Sequence, residues 1–306
     1  MTTRRYVQLD VFADRPGAGN PLAVVLDAEG LDDTTMQAIA RWTRLPETTF
    51  VFAAPSASAS YGIRIFSPRR EVPFAGHPSV GTAHAVLDAG LAAPRDGLLV
   101  QAGMAGALPL RIVGAGRART IAVRTPRARL LESAPFDDPR LRAALRGLPP
   151  GRLMPALMDG GRRWWLVELG DEAALRAAEP AWDAISALAE ATGSMGVCAF
   201  ARSDDAVYHL AVRAWVGAPA RFEDAASGAA NATLAAWLAL QDALPGQDGR
   251  YRVSQGREVG HDAIIELHVD GDGEVWSGGR VVTAVHGTLD WPSPRDRYRG
   301  EGPTSP

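Results

Sequence analysis

The sequence predicts a mixed α/β (α+β) fold of two pseudo-symmetric lobes, each a strongly curved sheet or barrel around a central helix. Three observations carry this. The first is an internal repeat. Tyr61-Gly-Ile-Arg-Ile-Phe66 and Tyr208-His-Leu-Ala-Val-Arg213 both alternate like half-buried strands, and Tyr61/Tyr208, His77/Asp224, Gly81/Gly228, Ala83/Ala230 and Leu87/Leu234 are each 147 positions apart. The second is that the segments 78–87 and 225–240, which follow these strands, are small and apolar all round, the pattern of a helix buried on every side. The third is element order, which reads strand, helix, strand, strand, turn, helix in each half.

Taken in order, 20–26 reads as an apolar strand and 32–44 as a helix with Met36, Ile39, Ala40 and Thr43 on one face. Strands follow at 49–53 and 61–66, then the buried helix 78–87. The second half supplies a helix at 181–191, a strand around Val197-Cys198-Ala199 and the helix 225–240. An arginine-, proline- and alanine-rich stretch near 124–134 divides the chain into lobes 1–128 and 129–289, with the strands near 280–289 able to return to the first lobe. The proline- and glycine-rich segment 290–306 reads as a disordered tail.

Composition excludes several kinds of chemistry. A net charge of −3 provides no basic field for nucleic acid or an anionic membrane, and no apolar run is long enough to span a bilayer. One cysteine, Cys198, excludes intrachain disulfides and two-thiol mechanisms within the chain. All 32 basic residues are arginine, so Schiff-base lysine chemistry and a lysine-bearing phosphate loop are excluded. Met1–Asp10 has two arginines but no apolar stretch behind them, unlike a secretory leader, so a cytoplasmic protein is expected. No grouping of His, Asp and Glu has metal-ligand spacing, and Asp270-Gly-Asp-Gly-Glu274 reads as a hairpin turn.

Chemistry concentrates at the starts of the two buried helices. Pro78 suits a first helical turn, which places His77 near one N-cap, and Asp224 holds the same repeat position in the other half. Two helix N-termini facing one cleft would attract a small carboxylate. Gly81, Gly228, Ala229 and Ala230 are small enough to admit a ligand close to the backbone. Glu47 opens an apolar strand, where desolvation would raise its pKa toward that of a neutral-pH general base. By residue type alone, Asp224 reads equally as a helix cap, His77 as a turn residue and Glu47 as a solvent-facing loop residue.

Several stretches resemble the PhzF-like phenazine-biosynthesis isomerases, within the broader diaminopimelate-epimerase-like fold. They are Val11-Phe-Ala-Asp-Arg-Pro-Gly-Ala-Gly-Asn20-Pro-Leu-Ala, Pro46-Glu47-Thr-Thr-Phe-Val51, Glu71-Val-Pro-Phe-Ala-Gly-His77-Pro-Ser-Val-Gly-Thr-Ala83, Phe222-Glu-Asp224, Gln255-Gly256 and Gly278-Gly279. The resemblance runs in order from about residue 5 to 289. It implies a homodimer without metal or organic cofactor, whose site lies between the lobes and takes a small-molecule carboxylate. Glu47 would be the acid/base that moves a proton between carbons, with His77 and Asp224 flanking the substrate. Asn20, Gly76, Pro78, Ser227, Gly228 and Ala229 would line or bind it.

The departures from the family pattern fall at specificity positions. Ala229 stands where a substrate-contacting serine is usual, Pro46 where a serine precedes the glutamate, and Gly260-His261-Asp262-Ala263 where Gly-Arg-Pro-Ser follows Gln-Gly. They predict a substrate other than trans-2,3-dihydro-3-hydroxyanthranilate. The absence of a thiol immediately before Gly76-His77-Pro78 favours isomerisation over racemisation.

The expectation is therefore a cofactor-independent isomerase that transposes a C=C bond in a small unsaturated cyclic carboxylic or amino acid in specialised metabolism. One alternative is an isomerase of a proline- or pyrroline-derived antibiotic precursor. Another is a non-catalytic binding member of the family.

Overall fold

The computed structural model describes residues 2–292. The first half contains β1 (Thr2–Val11), β2 (Asn20–Val25), α1 (Asp33–Thr43), β3 (Glu47–Phe52), β4 (Tyr61–Phe66), β5 (Glu71–Val72), α2 (Gly76–Asp88), β6 (Leu98–Gly103), β7 (Gly106–Val113) and β8 (Thr120–Arg124). The second contains β9 (Arg129–Ser133), α3 (Pro139–Leu145), β10 (Ala156–Asp159), β11 (Arg163–Leu169), α4 (Glu172–Ala177), α5 (Trp182–Thr192), β12 (Gly196–Arg202), β13 (Leu210–Val216), β14 (Phe222–Asp224), α6 (Gly228–Leu240), β15 (Arg250–Gln255), β16 (Ala263–Val269), β17 (Val275–Gly279) and β18 (Val281–Trp291).

The pairings form one continuous curved sheet with an internal pseudo-two-fold. From one edge inward, β18, β1, β2, β3, β4, β6, β7 and β8 pair in succession. Strand β8 then pairs antiparallel with β17, and the mirror series β16, β15, β13, β12, β11, β10, β9 follows. The segment after β8 thus supplies the second lobe's edge strand β9, while the segment after β17 returns as β18 to edge the first lobe.

Helix α2 lies inside the first curl against β1, β2, β3 and β8, and α6 lies inside the second against β16 and β17. Both are thirteen residues long and buried along most of their length, as their apolar-all-round composition predicts. Gly81 brings α2 against the sheet: a Cβ there would lie 2.6 Å from Leu22 Cδ2 and 2.8 Å from Val11 Cγ2. Its smallness serves helix–sheet packing, not ligand access. The outer faces are covered separately. Met36 and Ile39 of α1 join Phe50 and Phe66 on the first lobe, while Leu141 and Ile185 of α3 and α5 join Trp165 and Val197 on the second. Trp164 and Trp165, adjacent on β11, therefore face opposite sides and are both buried.

The element order holds, but the repeat register is corrected. Helices α2 and α6 begin at Gly76 and Gly228, 152 positions apart (228 minus 76), whereas α1 and α5 begin at Asp33 and Trp182, 149 apart (182 minus 33). The drift is absorbed by longer turns in the second half, so the matches at 147 do not mark equivalent backbone positions. Helix α2 also starts two residues before the expected 78. Its N-cap is Ala75, which makes no side-chain cap, and His77 is already helical. Pro78 is tolerated there because first-turn N–H groups lack intrahelical acceptors anyway.

Asp224 is likewise not the N-cap of α6. Ser227 is, its Oγ accepting from the Ala230 N–H at 3.3 Å. Strand β18 runs to Trp291, two residues into the segment read as a disordered tail. Thr2 and Thr3 pair with Trp291 and Asp290, and Trp42 packs edge-on against the Trp291 ring at 5.7 Å. The rest of that segment, 293–306, lies outside the described residues.

Candidate active site

The site lies where the N-termini of α2 and α6 meet. Gly76 and Gly228 touch backbone to backbone: a Cβ on Gly76 would lie 3.2 Å from Gly228 Cα, and one on Gly228 would lie 3.4 Å from Gly76 Cα and from the His77 nitrogen. Only glycine at both positions lets two helix ends approach this closely. The unpaired N–H groups and partial positive charges of both helices are thereby directed to one place.

Each N-terminus is braced from the sheet by a glutamine. In the first lobe Gln101 Nε2 donates to Ser79 Oγ at 2.9 Å, and Ser79 Oγ donates to the Ala75 carbonyl at 2.9 Å. In the second, Gln255 Oε1 accepts from the Ser227 N–H at 3.1 Å and from Asn231 Nδ2 at 2.8 Å, while Gln255 Nε2 donates to the Asp224 carbonyl at 2.7 Å. An ion pair supports each adjoining turn, Arg64 with Glu71 and Arg213 with Glu223.

Glu47 is the first residue of β3, which runs parallel to β2 with Leu22 opposite Glu47. Thr48 and Thr49 pin this strand to the helices on either side, through Thr43 Oγ1 at 2.8 Å and Thr82 Oγ1 at 2.7 Å. Glu47 is buried, its side chain 10% exposed, and its carboxyl lies 3.4 Å from His77 Nε2. That contact is not a hydrogen bond, since His77 Nε2 is buried without a partner. Burial pushes Glu47 up to about 7; Arg162 pulls it down and Asp224 pushes it further up. Burial, reinforced by Arg162, holds the His77 imidazole down at about 3. At neutral pH His77 is therefore an uncharged imidazole beside a carboxyl close to half-ionised.

Asp224 closes the opposite side. Its Oδ1 accepts from Asn20 Nδ2 and from the Ala226 N–H, each at 3.3 Å, and Asn20 Nδ2 also donates to the Ala226 carbonyl at 2.8 Å. Burial raises Asp224 above the usual carboxylate range, opposed by these hydrogen bonds and by Arg162. The loop before Asn20 is held to the second lobe as well: His261 Nδ1 donates to the Gly19 carbonyl at 2.7 Å and the Asp262 N–H to the Ala18 carbonyl at 2.8 Å.

The fold thus brings together Glu47, His77, Asp224, Asn20, Gly76, Gly228 and Ala229, whose nitrogen is part of the helix junction. Ser227 is adjacent, but its hydroxyl already caps α6. Pro78 is buried in the first turn of α2 and has no N–H to offer. Among the described residues no group of three or more His, Cys, Asp or Glu side chains is placed to hold a metal ion. Among these residues no helix is long and apolar enough to cross a membrane.

Sequence reasoning missed three contributors. Gln255 and Asn231 carried a signal, being polar residues on an inward-facing strand position and a buried helix. Arg162 carried none: it sits beside Gly160 and Gly161 in what reads as an ordinary hairpin turn.

A family model described as phenazine biosynthesis-like protein, PhzC-PhzF, matches residues 9–287. The chain belongs to this family. It is 33% identical over 272 residues to the trans-2,3-dihydro-3-hydroxyanthranilate isomerase of Pseudomonas aeruginosa, covering 88% of this chain and 92% of the relative. The chain is an enzyme of this isomerase family. The Bacillus anthracis phenazine biosynthesis protein of the PhzF family superposes with a TM-score of 0.81 at 23% identity, over 95% of this chain and all of that one. A probable proline racemase from Agrobacterium radiobacter superposes with a TM-score of 0.64 at 14% identity, over 97% and 94% of the two chains. The two-lobed curved-sheet architecture is thus shared beyond this family.

Proposed function

We propose that this family member shifts a proton between two carbons of a small unsaturated cyclic carboxylic or amino acid, with Glu47 as the shuttle. The observation that carries the reading is a buried carboxyl with a pKa near 7, 3.4 Å from a neutral imidazole, at the junction of two helix N-termini. Glu47 as carboxylate removes a proton from one carbon. The electrons of that C–H bond enter a delocalised anion, which the backbone N–H groups at the starts of α2 and α6 stabilise. Glu47, now protonated, returns the same proton to a second carbon, and the double bond moves with no net change in oxidation state. A pKa near 7 suits both halves of this exchange. Neutral His77 and Asp224 border the reacting carbons from opposite sides.

The substrate class rests on the resemblance and on the anion-attracting helix ends. Ala229, which offers no hydroxyl, supports a ligand different from that named for the Pseudomonas relative. Action in the cytoplasm, in specialised metabolism and as a homodimer belongs to the same proposal. Proton NMR in D₂O tests it, with a panel of cyclic unsaturated acids that includes trans-2,3-dihydro-3-hydroxyanthranilate. Deuterium should enter one carbon of a panel member with wild type and not with Glu47→Gln. Equal exchange by both proteins overturns the role of Glu47.

A further inference from the structure

Arg162 reaches the site from the second lobe, opposite the strand that carries Glu47. It lies in the tight turn between β10 and β11, where Asp159 pairs with Arg163. The two arginines of that turn have different partners. Arg163 Nε donates to Asp159 Oδ2 at 3.5 Å, so its charge is satisfied within its own hairpin. Arg162 instead points a guanidinium nitrogen at Glu47 Oε1 from 3.9 Å, beyond hydrogen-bond distance, with its side chain 35% exposed. Among the described residues no hydrogen bond engages its five donors. Its charge is nevertheless felt across the site, acting on Glu47, His77 and Asp224 alike.

We propose that Arg162 binds the substrate's carboxylate and so makes the cleft selective for anionic ligands; this rests on the proton-shift reading of the same site. A guanidinium presents parallel N–H donors matched to a carboxylate, and this one has no such partner inside the protein. A ligand carboxylate paired with Arg162 sets its next carbons beside Glu47, within the few ångströms that proton transfer requires. The helix N-termini then face the remainder of the conjugated system, where negative charge develops. Binding also changes the base. With its charge neutralised by the ligand, Arg162 no longer lowers the Glu47 pKa, so Glu47 becomes a stronger base when a substrate is in place.

The test uses calorimetric titration with anthranilate and anthranilamide, which share a ring and an amine and differ in the negative charge. Wild type should prefer anthranilate by about tenfold or more, and Arg162→Gln should lose about 10- to 100-fold in anthranilate affinity, the range for a charge-assisted hydrogen bond. Anthranilamide binding should change less than about twofold, the margin within which no specific contact is being read. Arg162→Lys, which keeps the charge without the fork, should fall between. The midpoint of the Glu47 carboxyl resonance, followed by ¹³C NMR in the ligand-free protein, should rise in Arg162→Gln, a change that a purely structural role would not produce.

Arg162 is partly exposed in a turn, so the variant should fold, and circular dichroism checks this. Equal losses for both probes, an undiminished anthranilate preference in the variant, or no binding of anthranilate by wild type at millimolar concentration overturns the proposal. The deuterium-exchange assay separates its failure from that of the proton-shift reading. Exchange that requires Glu47, with carboxylate preference surviving Arg162→Gln, removes the anchor and leaves the shuttle. An Arg162-dependent preference without exchange on any panel member supports the anchor and counts against the shuttle.

Discussion

Replacing Glu47 with Gln should remove turnover and at the same time make the protein more stable, by an amount that depends on pH. The carboxyl is carried from its ordinary 4.5 to about 7 by burial. At about 1.4 kcal/mol per pH unit this corresponds to about 3 kcal/mol between the ionised and neutral forms in the folded chain. The sign follows from linkage. Below about 4.5 the group is protonated in both folded and unfolded chains and imposes no penalty. Between 4.5 and 7 the unfolded chain is ionised while the folded chain still holds its proton, so wild type loses stability as pH rises. Above 7 the full penalty is present. Gln is nearly isosteric with the protonated form and never ionises. Glu47→Gln should therefore match wild type at pH 5 to within about 1 kcal/mol and exceed it by about 3 kcal/mol at pH 8, which is about 5 °C in midpoint for a chain of this size. Thermal unfolding followed by circular dichroism at both pH values reads the difference. A gap that is the same at pH 5 and pH 8, or a variant less stable at pH 8, refutes the reasoning that Glu47 is ionised at a cost inside the fold.

Three further outcomes follow from the same geometry. The His77 imidazole should stay neutral from pH 5 to 8, because burial holds it at about 3; ¹⁵N NMR of the ring reads this, and a midpoint near 6.5 would contradict it. Gly76→Ala puts a methyl 3.2 Å from the Gly228 backbone, which should cost about 1–3 kcal/mol in urea unfolding and weaken anthranilate binding by separating the helix ends. Gln255→Leu strands the Ser227 N–H and the Asp224 carbonyl in a buried site and leaves Asn231 Nδ2 with the Ser227 carbonyl alone, and should destabilise by about 3 kcal/mol in the same assay, with a parallel fall in deuterium exchange.

Legibility from sequence followed the range of the interactions. The strand Tyr61–Phe66 and the helix α1 were readable because alternation and helical periodicity are local; the helix expected over 32–44 spans Asp33–Thr43, with the two end residues serving as its caps. The burial of α2 and α6 was readable because their composition leaves no polar face to turn outward. The start of α2 differs from the expected one because proline suggests a first helical position, whereas the helix begins at Gly76, where the end of α6 abuts it. The repeat was found through its element order, but a constant offset was imposed on it. Alanine at many positions supplies matches at several offsets, whereas the packed backbones of Gly76 and Gly228 define one. Arg162 was invisible because its role depends on a turn of one lobe facing a strand of the other, which no spacing within either lobe encodes.

That last point bears on how a duplicated fold acquires an asymmetric site. The shared parts are those that gather an anion: two helix N-termini, each braced by a glutamine from the sheet and each adjoining a turn supported by an arginine–glutamate pair. The residues to which the proposed proton shift falls are not repeated. Glu47 and His77 come from the first lobe, while Asp224 and Arg162 come from the second, and neither pair has a chemical counterpart at the equivalent place. Proton transfer between two carbons needs one base with charge stabilisation around it, and the second lobe supplies a guanidinium and a hydrogen-bonded carboxyl there, not a repeat of Glu47 and His77. The strand exchange that sends β18 to edge the first lobe and β9 the second ties the halves together at both ends. The 3.9 Å gap between Arg162 and Glu47 is set across that tie, and a cleft assembled from opposite lobes can hold reacting groups only as precisely as the lobes hold each other.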